Sequence, residues 1–346
     1  MRFAAVTGWG IGVPQNVVTN HELALALPDV DADWIVRRSG IHQRHIAAST
    51  ESTSTFARAA GAAALAVAEI DAAALDLVIV ATCTPDRQIP GTAPLVAAQL
   101  GAARAGAFDV NAACAGFLTA YATADAMIRA GRAERALVIG AETMSRFVDW
   151  TDPKTCVLFG DGAGAVLLEA AEEPSGLLST TFGADGTEAD LIHVPAGGSA
   201  RPASSQTAAA NEHTIKMNGP EVYRAAVRVM ETAARDVMRD AGFAPGDVDL
   251  MIAHQANHRI ITEVGDRLGL NEQHVFSNVA RFGNTSAASI PIALSEAARQ
   301  GRLQPGARFA LTAVGAGLTW AAGAGIWTGV GNEGNARHLE TIGANA

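Results

Sequence analysis

Short apolar runs alternate with amphipathic stretches along this chain, and the alternation occurs twice in the same order. DLVIVA (Asp76–Ala81), AFDVN (Ala107–Asn111) and ALVIGA (Ala136–Ala141) are aliphatic runs of strand length without a regular polar side, so they read as strands buried on both faces. The segments near 54–70 and 92–100, and the stretch beginning at Cys114, read as helices; in the last, Phe117, Leu118, Tyr121 and Ile128 keep helical spacing. The second half repeats this order. It has a helix near 220–241, the strand DLMIAH (Asp249–His254), a helix from about Asn257, the strand HVFSN (His274–Asn278), a helix near 286–300 and the strand RFALTAVG (Arg308–Gly315). DLVIVA and DLMIAH lie 173 positions apart, while Cys114 and Ser286, which begin corresponding helices, lie 172 apart. That register predicts two pseudo-symmetric halves, 1–178 and 179–346, joined near Gly176–Ser179 and packed as one α/β unit. Gly197–His213 is small, polar and non-periodic and reads as a surface loop, and the tail from about 329 as peripheral.

Composition narrows the class. Of the 346 residues 49% are apolar and 17% charged, enough material for a large core, and aromatics are only 5%, which suits close packing of helices on sheets. The net charge of −10 argues against nucleic acid as partner, because phosphate neutralisation needs a basic face. No window of about 18 uninterrupted apolar residues is present to span a membrane. The start, MRFAAVTGWGIGVP, reads as a strand rather than a signal peptide, so a cytoplasmic location is expected. Cys83, Cys114 and Cys156 are odd in number and separate in setting, which points to reduced thiols rather than a disulfide framework.

The strand ends are predicted to gather Cys114, His254 and Asn284 in one place, since open α/β sheets bind ligands at the carboxyl ends of their strands. Cys114 stands at a strand-to-helix junction, where helix N–H groups and the dipole lower a thiol pKa; the alternative is a buried structural cysteine, the reading preferred for Cys83 and Cys156. His254 and His258 are four apart, yet Gln255 replaces the glutamate of a zinc helix and His254 ends a strand, so no metal is expected and acid/base or hydrogen-bonding use of His254 ranks above it. GDGAGA (Gly160–Ala165) fits a loose dinucleotide pattern, but strand-like TCVLF and AVLLEA flank it, so it reads as a tight turn between strands. The Gly315-Ala316-Gly317 turn can supply backbone N–H groups to an oxyanion hole.

At these residues the chain resembles the β-ketoacyl-acyl-carrier-protein synthase III family of condensing enzymes. The matches are DWIVRRSGIHQRHIAA, DVNAACAGF, FGDGAGAV, AHQANHRII, FGNTSAAS and GAGLTW, in the family's order from roughly Phe3 to Trp327. The resemblance implies a five-layer αβαβα thiolase-like fold and a homodimer. It also implies an acyl-CoA primer carried on Cys114 and condensed with malonyl-acyl-carrier-protein, with His254 and Asn284 promoting decarboxylation and no cofactor. By resemblance Trp34, Arg38 and Lys154 meet the CoA nucleotide, and Asn257 and Arg259 line the pantetheine path. Ile89 sits near the acyl pocket and dimer interface, and Arg224, Arg259 and Arg267 belong to the carrier-docking face. The chain departs from the family pattern at Pro153, where an arginine commonly stacks on adenine, at Ala316, which replaces the central glycine of the turn, and at Asp266 on the docking face. Two other functions fit the same residues: an acyltransferase passing the group to a hydroxyl or amine, and a non-catalytic acyl-thioester binding protein.

Overall fold

The structure, a computed structural model, describes residues 2–329. The first sheet contains β1 (Phe3–Gly12), β2 (Leu77–Ala81), β3 (Gly106–Val110), β4 (Arg135–Thr143) and β5 (Asp161–Ala171), in the spatial order β1-β5-β4-β2-β3. The second contains β6 (Gly176–Ala184), β7 (Leu250–Ala253), β8 (Arg308–Gly315) and β9 (Thr319–Ile326), in the order β7-β8-β9-β6. β2 pairs in parallel with β3 and β4, and β7 in parallel with β8, while β5 and β9 run antiparallel to both neighbours.

Six helices complete the layers: α1 (Thr53–Ala68), α2 (Thr92–Leu100), α3 (Gly116–Arg129), α4 (Gly219–Asp240), α5 (His258–Leu268) and α6 (Ser289–Arg299). α3 and α6 lie between the sheets and touch strands of both, α1 and α2 cover the first sheet, and α4 and α5 cover the second, giving αβαβα. The central layer explains the continuous apolar strands. Ile79 and Val138 from one sheet and Ile252 and Leu311 from the other close over Phe117, Ile128, Ile290 and Leu294 of the two inner helices. Each such side chain taken from water contributes about 1.5–3 kcal/mol. α4 shows the outer pattern: Ala226, Met230, Ala233, Ala234 and Val237 are buried, while Arg235 and Arg239 pair with acidic neighbours one turn or less away at the surface.

The offset between the halves is uniform at 173 positions: Phe3 to Gly176, Leu77 to Leu250, Ala113 to Ser286, Arg135 to Arg308. The residue matching Ser286 is therefore Ala113, not Cys114, because α3 and α6 are each preceded by a 3-10 turn, Ala113–Ala115 and Ser286–Ala288, that opens one residue before the cysteine.

Two expected elements differ. HVFSN forms no strand beyond one parallel bridge between Met251 and Val275, because the Gln255 side chain takes the ladder groups: its Nε2 donates to Phe276 O (3.3 Å) and its Oε1 accepts from Asn278 N (2.9 Å). GDGAGA is not a turn between strands. Thr151–Leu158 makes turns, and from Asp161 the small residues are the start of β5, where a side chain at Gly164 would collide with the Pro291–Ile292 backbone of α6. The dinucleotide reading still fails, since a strand rather than a helix follows.

Candidate active site

Two matched turns bring the chemistry together. After β3, Asn111 Oδ1 accepts from Ala113 N (3.2 Å) and Ala113 adopts φ 46°, a left-handed conformation that costs a residue with a Cβ roughly 1–2 kcal/mol and swings Cys114 into the cleft. In the second half Asn284 Oδ1 accepts from Ser286 N (2.8 Å) and Ser286 adopts φ 49°. This bond fixes the Asn284 amide with Nδ2 as its remaining donor. The Asn284 backbone is pinned as well, its N–H donating to Leu158 O (2.8 Å) and its carbonyl accepting from Gly160 N (3.0 Å).

His254 follows β7, is 2% exposed, and its N–H donates to Thr312 O (2.8 Å). Its Nδ1 lies 2.6 Å from Ser289 Oγ, which accepts from Gln255 N (3.3 Å). Among the described residues that hydroxyl has no acceptor except Nδ1, so it donates there and the ring proton sits on Nε2. Burial pushes the His254 pKa down to about 4, so the ring is a neutral donor near pH 7.

Cys114, His254, Asn284, Gly315, Ala316 and Gly317 all line one cavity of about 1790 Å³. Gly315 ends β8 directly against the Cys114 turn: a Cβ there would stand 2.6 Å from Cys114 N, so only glycine allows this approach. Thr319 Oγ1 sits between the two turns, donating to Ala112 O (2.8 Å), with Ala316 O at 3.1 Å as the alternative acceptor.

The expected low thiol pKa is corrected. Cys114 lies in the 3-10 turn before α3, not in the helix's first turn, and burial pushes its thiol up to about 12; a hydrogen bond with Ser286 acts the other way and the nearby Glu142 carboxylate adds to the rise. Cys83 is likewise not the isolated structural thiol expected. It follows β2, lines the same cavity and places Sγ 3.2 Å from Glu142 Oε1, whereas Cys156 is fully buried. Glu142, Ser289 and Asn111 did not emerge from the sequence as site residues. For Glu142 the signal was available: a lone carboxylate at the end of the apolar run ALVIGAET.

Trp34, Arg38, Pro153, Lys154, Asn257, Arg259 and Arg224 also line the cavity. Arg38 stacks over the Trp34 ring (5.0 Å) and Arg259 over Tyr223 (5.4 Å), and Asn257 caps α5 through Oδ1 while Nδ2 donates to Arg38 O (3.0 Å). Arg267 lies away from the cavity lining and pairs with Glu263 (2.8 Å), and Arg224 pairs with Glu221. Ile89 lies beside the cavity's edge in sequence but outside its lining. Within one chain it is 89% exposed and does not line the cavity, although the adjacent Gln88 does. Among the described residues no group of three or more His, Cys, Asp or Glu side chains is placed to hold a metal ion, and no helix is long and apolar enough to cross a membrane.

Known proteins are similar to this chain along nearly its whole length. The family model described as 3-oxoacyl-[acyl-carrier-protein] synthase III matches residues 108–186 and its C-terminal counterpart residues 238–327, the two stretches that carry Cys114 and the His254/Asn284 pair. A β-ketoacyl-[acyl-carrier-protein] synthase III of Roseiflexus sp. (strain RS-1) is 48% identical over 94% of this chain and 99% of its own. The 3-oxoacyl-[acyl-carrier-protein] synthase III of Aquifex aeolicus VF5 superposes with a TM-score of 0.87 at 42% identity, covering 94% of this chain and all of the other. The priming β-ketosynthase of the R1128 polyketide pathway superposes with a TM-score of 0.88 at 34% identity, covering 94% and 97%. With identity at this level across both halves and the thiolase-like layers in common, the chain belongs to the 3-oxoacyl-[acyl-carrier-protein] synthase III family.

Proposed function

We propose that this protein is an acyltransferase of the initiating type, which loads an acyl group from acyl-CoA onto Cys114 and condenses it with malonyl-acyl-carrier-protein in fatty acid or polyketide synthesis. The observation that carries this reading is the shared cavity, whose lining includes the Cys114 thiol and two neutral donors, His254 Nε2–H and Asn284 Nδ2–H. Cys114 Sγ attacks the thioester carbonyl, the oxyanion is met by the Cys114 N–H and one N–H of the Gly315–Gly317 turn, and CoA leaves. Malonyl thioester then enters the same cleft. As CO2 departs, His254 and Asn284 hydrogen-bond the enolate oxygen, and the enolate carbon attacks the acyl-cysteine carbonyl and expels Cys114 Sγ. Both donors stay neutral near pH 7, so neither needs a proton change to meet the developing charge.

The approach to the cavity fits a CoA or carrier pantetheine arm, with the Trp34–Arg38 stack and Lys154 at the nucleotide end and Asn257 and Arg259 along the path. Arg259 forms no ion pair among the described residues, so it is the stronger attraction for an acidic carrier. Arg224 and Arg267 are each offset by a glutamate on their own helix. β3 is an edge strand whose Phe108 is exposed together with Leu95 and Ile89; this apolar face supports a homodimer in which Ile89 reaches a second copy's acyl pocket.

The test supplies acyl-CoA and malonyl-acyl-carrier-protein together and follows CO2 and a 3-oxoacyl product. Both should appear in equal amounts. Acyl transfer to a hydroxyl or amine without CO2 release would place the protein among simple acyltransferases, and no acyl adduct with any donor would leave only a binding role.

A further inference from the structure

The turn that carries Asn284 is tethered to the other half of the molecule. Ser286 stands at φ 49°, left-handed for a residue with a Cβ, and such a conformation persists only where its surroundings fix it. Two bonds do so. Its N–H donates to Asn284 Oδ1 (2.8 Å), and its Oγ donates to Glu142 Oε1 (3.0 Å) near the end of β4. β4 also meets the turn directly, since a Cβ at Gly140 would stand 2.3 Å from Ala287 O. The matched turn of the first half lacks this tether. Ala113 stands at φ 46° with the longer bond to Asn111 Oδ1 (3.2 Å), and its methyl group can reach no acceptor.

Glu142 is built as a fixed acceptor. It is 0% exposed, and besides Ser286 Oγ it is surrounded by Thr84 Oγ1 (2.5 Å), Cys83 N (3.1 Å), Thr82 Oγ1 (3.2 Å) and Cys83 Sγ (3.2 Å), all of them donors. The direction of the hydroxyl bonds is set from outside. Thr82 Oγ1 already accepts from Thr84 N (3.0 Å) and Thr84 Oγ1 from Thr143 N (2.8 Å), so their hydrogens are left for the carboxylate. Burial raises the Glu142 pKa, and the bonds from Thr84, Cys83 and Ser286 oppose the rise. No cation pairs with it among the described residues. A carboxylate so placed is costly to keep, which marks it as a candidate for function.

We propose that Glu142 is a positioning residue for Asn284, acting through Ser286. The carboxylate of the first half holds the Ser286 hydroxyl, the Ser286 N–H holds Asn284 Oδ1, and the remaining amide donor, Nδ2, is kept in one orientation at the cavity wall. This rests on the enolate-stabilising role of Asn284 proposed above. No proton moves along the tether and no bond is made or broken in it. A preorganised donor lowers the barrier only while it points to where charge develops. Loosening the tether therefore slows malonyl decarboxylation, whereas attack of Cys114 on acyl-CoA, which does not use Asn284, proceeds nearly as before.

The test measures both half-reactions in wild type, Ser286→Ala, Glu142→Gln, Asn284→Ala and the doubles that combine each of the first two with Asn284→Ala. Acylation by acetyl-CoA and butyryl-CoA is followed by intact-protein mass spectrometry, and decarboxylation as CO2 released from malonyl-acyl-carrier-protein. Ser286→Ala removes only the hydroxyl, and the Glu142→Gln amide meets surrounding donors with a donor of its own. Each single variant should lower kcat for CO2 release roughly tenfold, leave KM for the malonyl carrier unchanged and alter the acylation rate less than about twofold. In the Asn284→Ala background neither should lower CO2 release further, because the tether has nothing left to aim. Wild-type CO2 release in either single variant overturns the proposal. So does equal loss of both half-reactions, or a loss that persists beside Asn284→Ala, since each shows a structural role only. If Glu142→Gln does not fold, Glu142→Asp, which keeps the carboxylate and shortens its reach, is read by the same criteria. Wild type that releases no CO2 removes the decarboxylating function itself, whatever the variants do.

Discussion

The turns Ala113–Ala115 and Ser286–Ala288 share one backbone plan and carry different side chains. Each follows an asparagine whose Oδ1 accepts from the N–H two residues on, and each opens at positive φ and leads into an inner helix between the sheets. At matched positions the first half has Cys114 where the second has Ala287, and Ser286 stands opposite Ala113. The ends of the matched strands diverge in the same way: β4 brings the buried carboxylate of Glu142, and β8 at the equivalent position brings Gly315, whose bare backbone lets the nucleophile turn approach. A duplicated scaffold gives two copies of one precise geometry, and in the proposed function divergence of a few side chains makes one copy the nucleophile and the other a source of enolate donors.

Breaking the first half should have the largest effect. Cys114→Ala is expected to abolish the covalent acyl adduct in intact-protein mass spectrometry, because Cys83, the other thiol lining the cleft, holds its Sγ against the Glu142 carboxylate (3.2 Å) and away from the Gly315 turn that packs on Cys114 N. An adduct on Cys83 with turnover intact would dissolve the division of labour. Breaking the second half should cost less: Asn284→Ala removes one enolate donor and should lower CO2 release roughly 10²- to 10³-fold while the adduct still forms. The contact between halves comes next. Gly315→Ala places a Cβ 2.6 Å from Cys114 N, and the displacement should cost about 1–3 kcal/mol in a denaturant titration and slow acylation about tenfold or more. Gly246→Ala, which meets open space, should change neither.

The smallest effect concerns pH. His254 has its pKa lowered to about 4 by burial, so below the unfolded value near 6.5 the unfolded chain takes a proton that the folded chain refuses. Stability therefore falls as pH drops from 6.5 toward 4. CO2 release, which needs the neutral ring, should show no inflection near 6.5 when rates are recorded from pH 8 to 5. A midpoint near 6.5 would mean that the imidazole is not shielded.

Much of this division is legible in the sequence, and its failures have physical causes. Continuous apolar strands and helical spacing give two pseudo-symmetric α/β halves and bring Cys114, His254 and Asn284 to neighbouring strand ends, because burial on both faces leaves a periodic trace; the five layers are implied by the family resemblance alone. HVFSN misleads because its strand-like composition cannot show that the Gln255 amide, about twenty positions away, occupies its ladder groups. Cys114 misleads in its electrostatics. Position at a helix start is a local feature, whereas the burial and the Glu142 charge that raise the thiol come from other elements brought in by the fold.

The most direct test of the division between halves is the His254→Ala variant assayed for both half-reactions in one preparation. Intact-protein mass spectrometry after incubation with acyl-CoA should show the Cys114 adduct forming to substantial yield, while CO2 release from malonyl-acyl-carrier-protein falls roughly 10²- to 10³-fold. Equal loss of adduct and CO2 release would contradict the account, since it would make His254 the base of the thiol and place both steps on one set of groups.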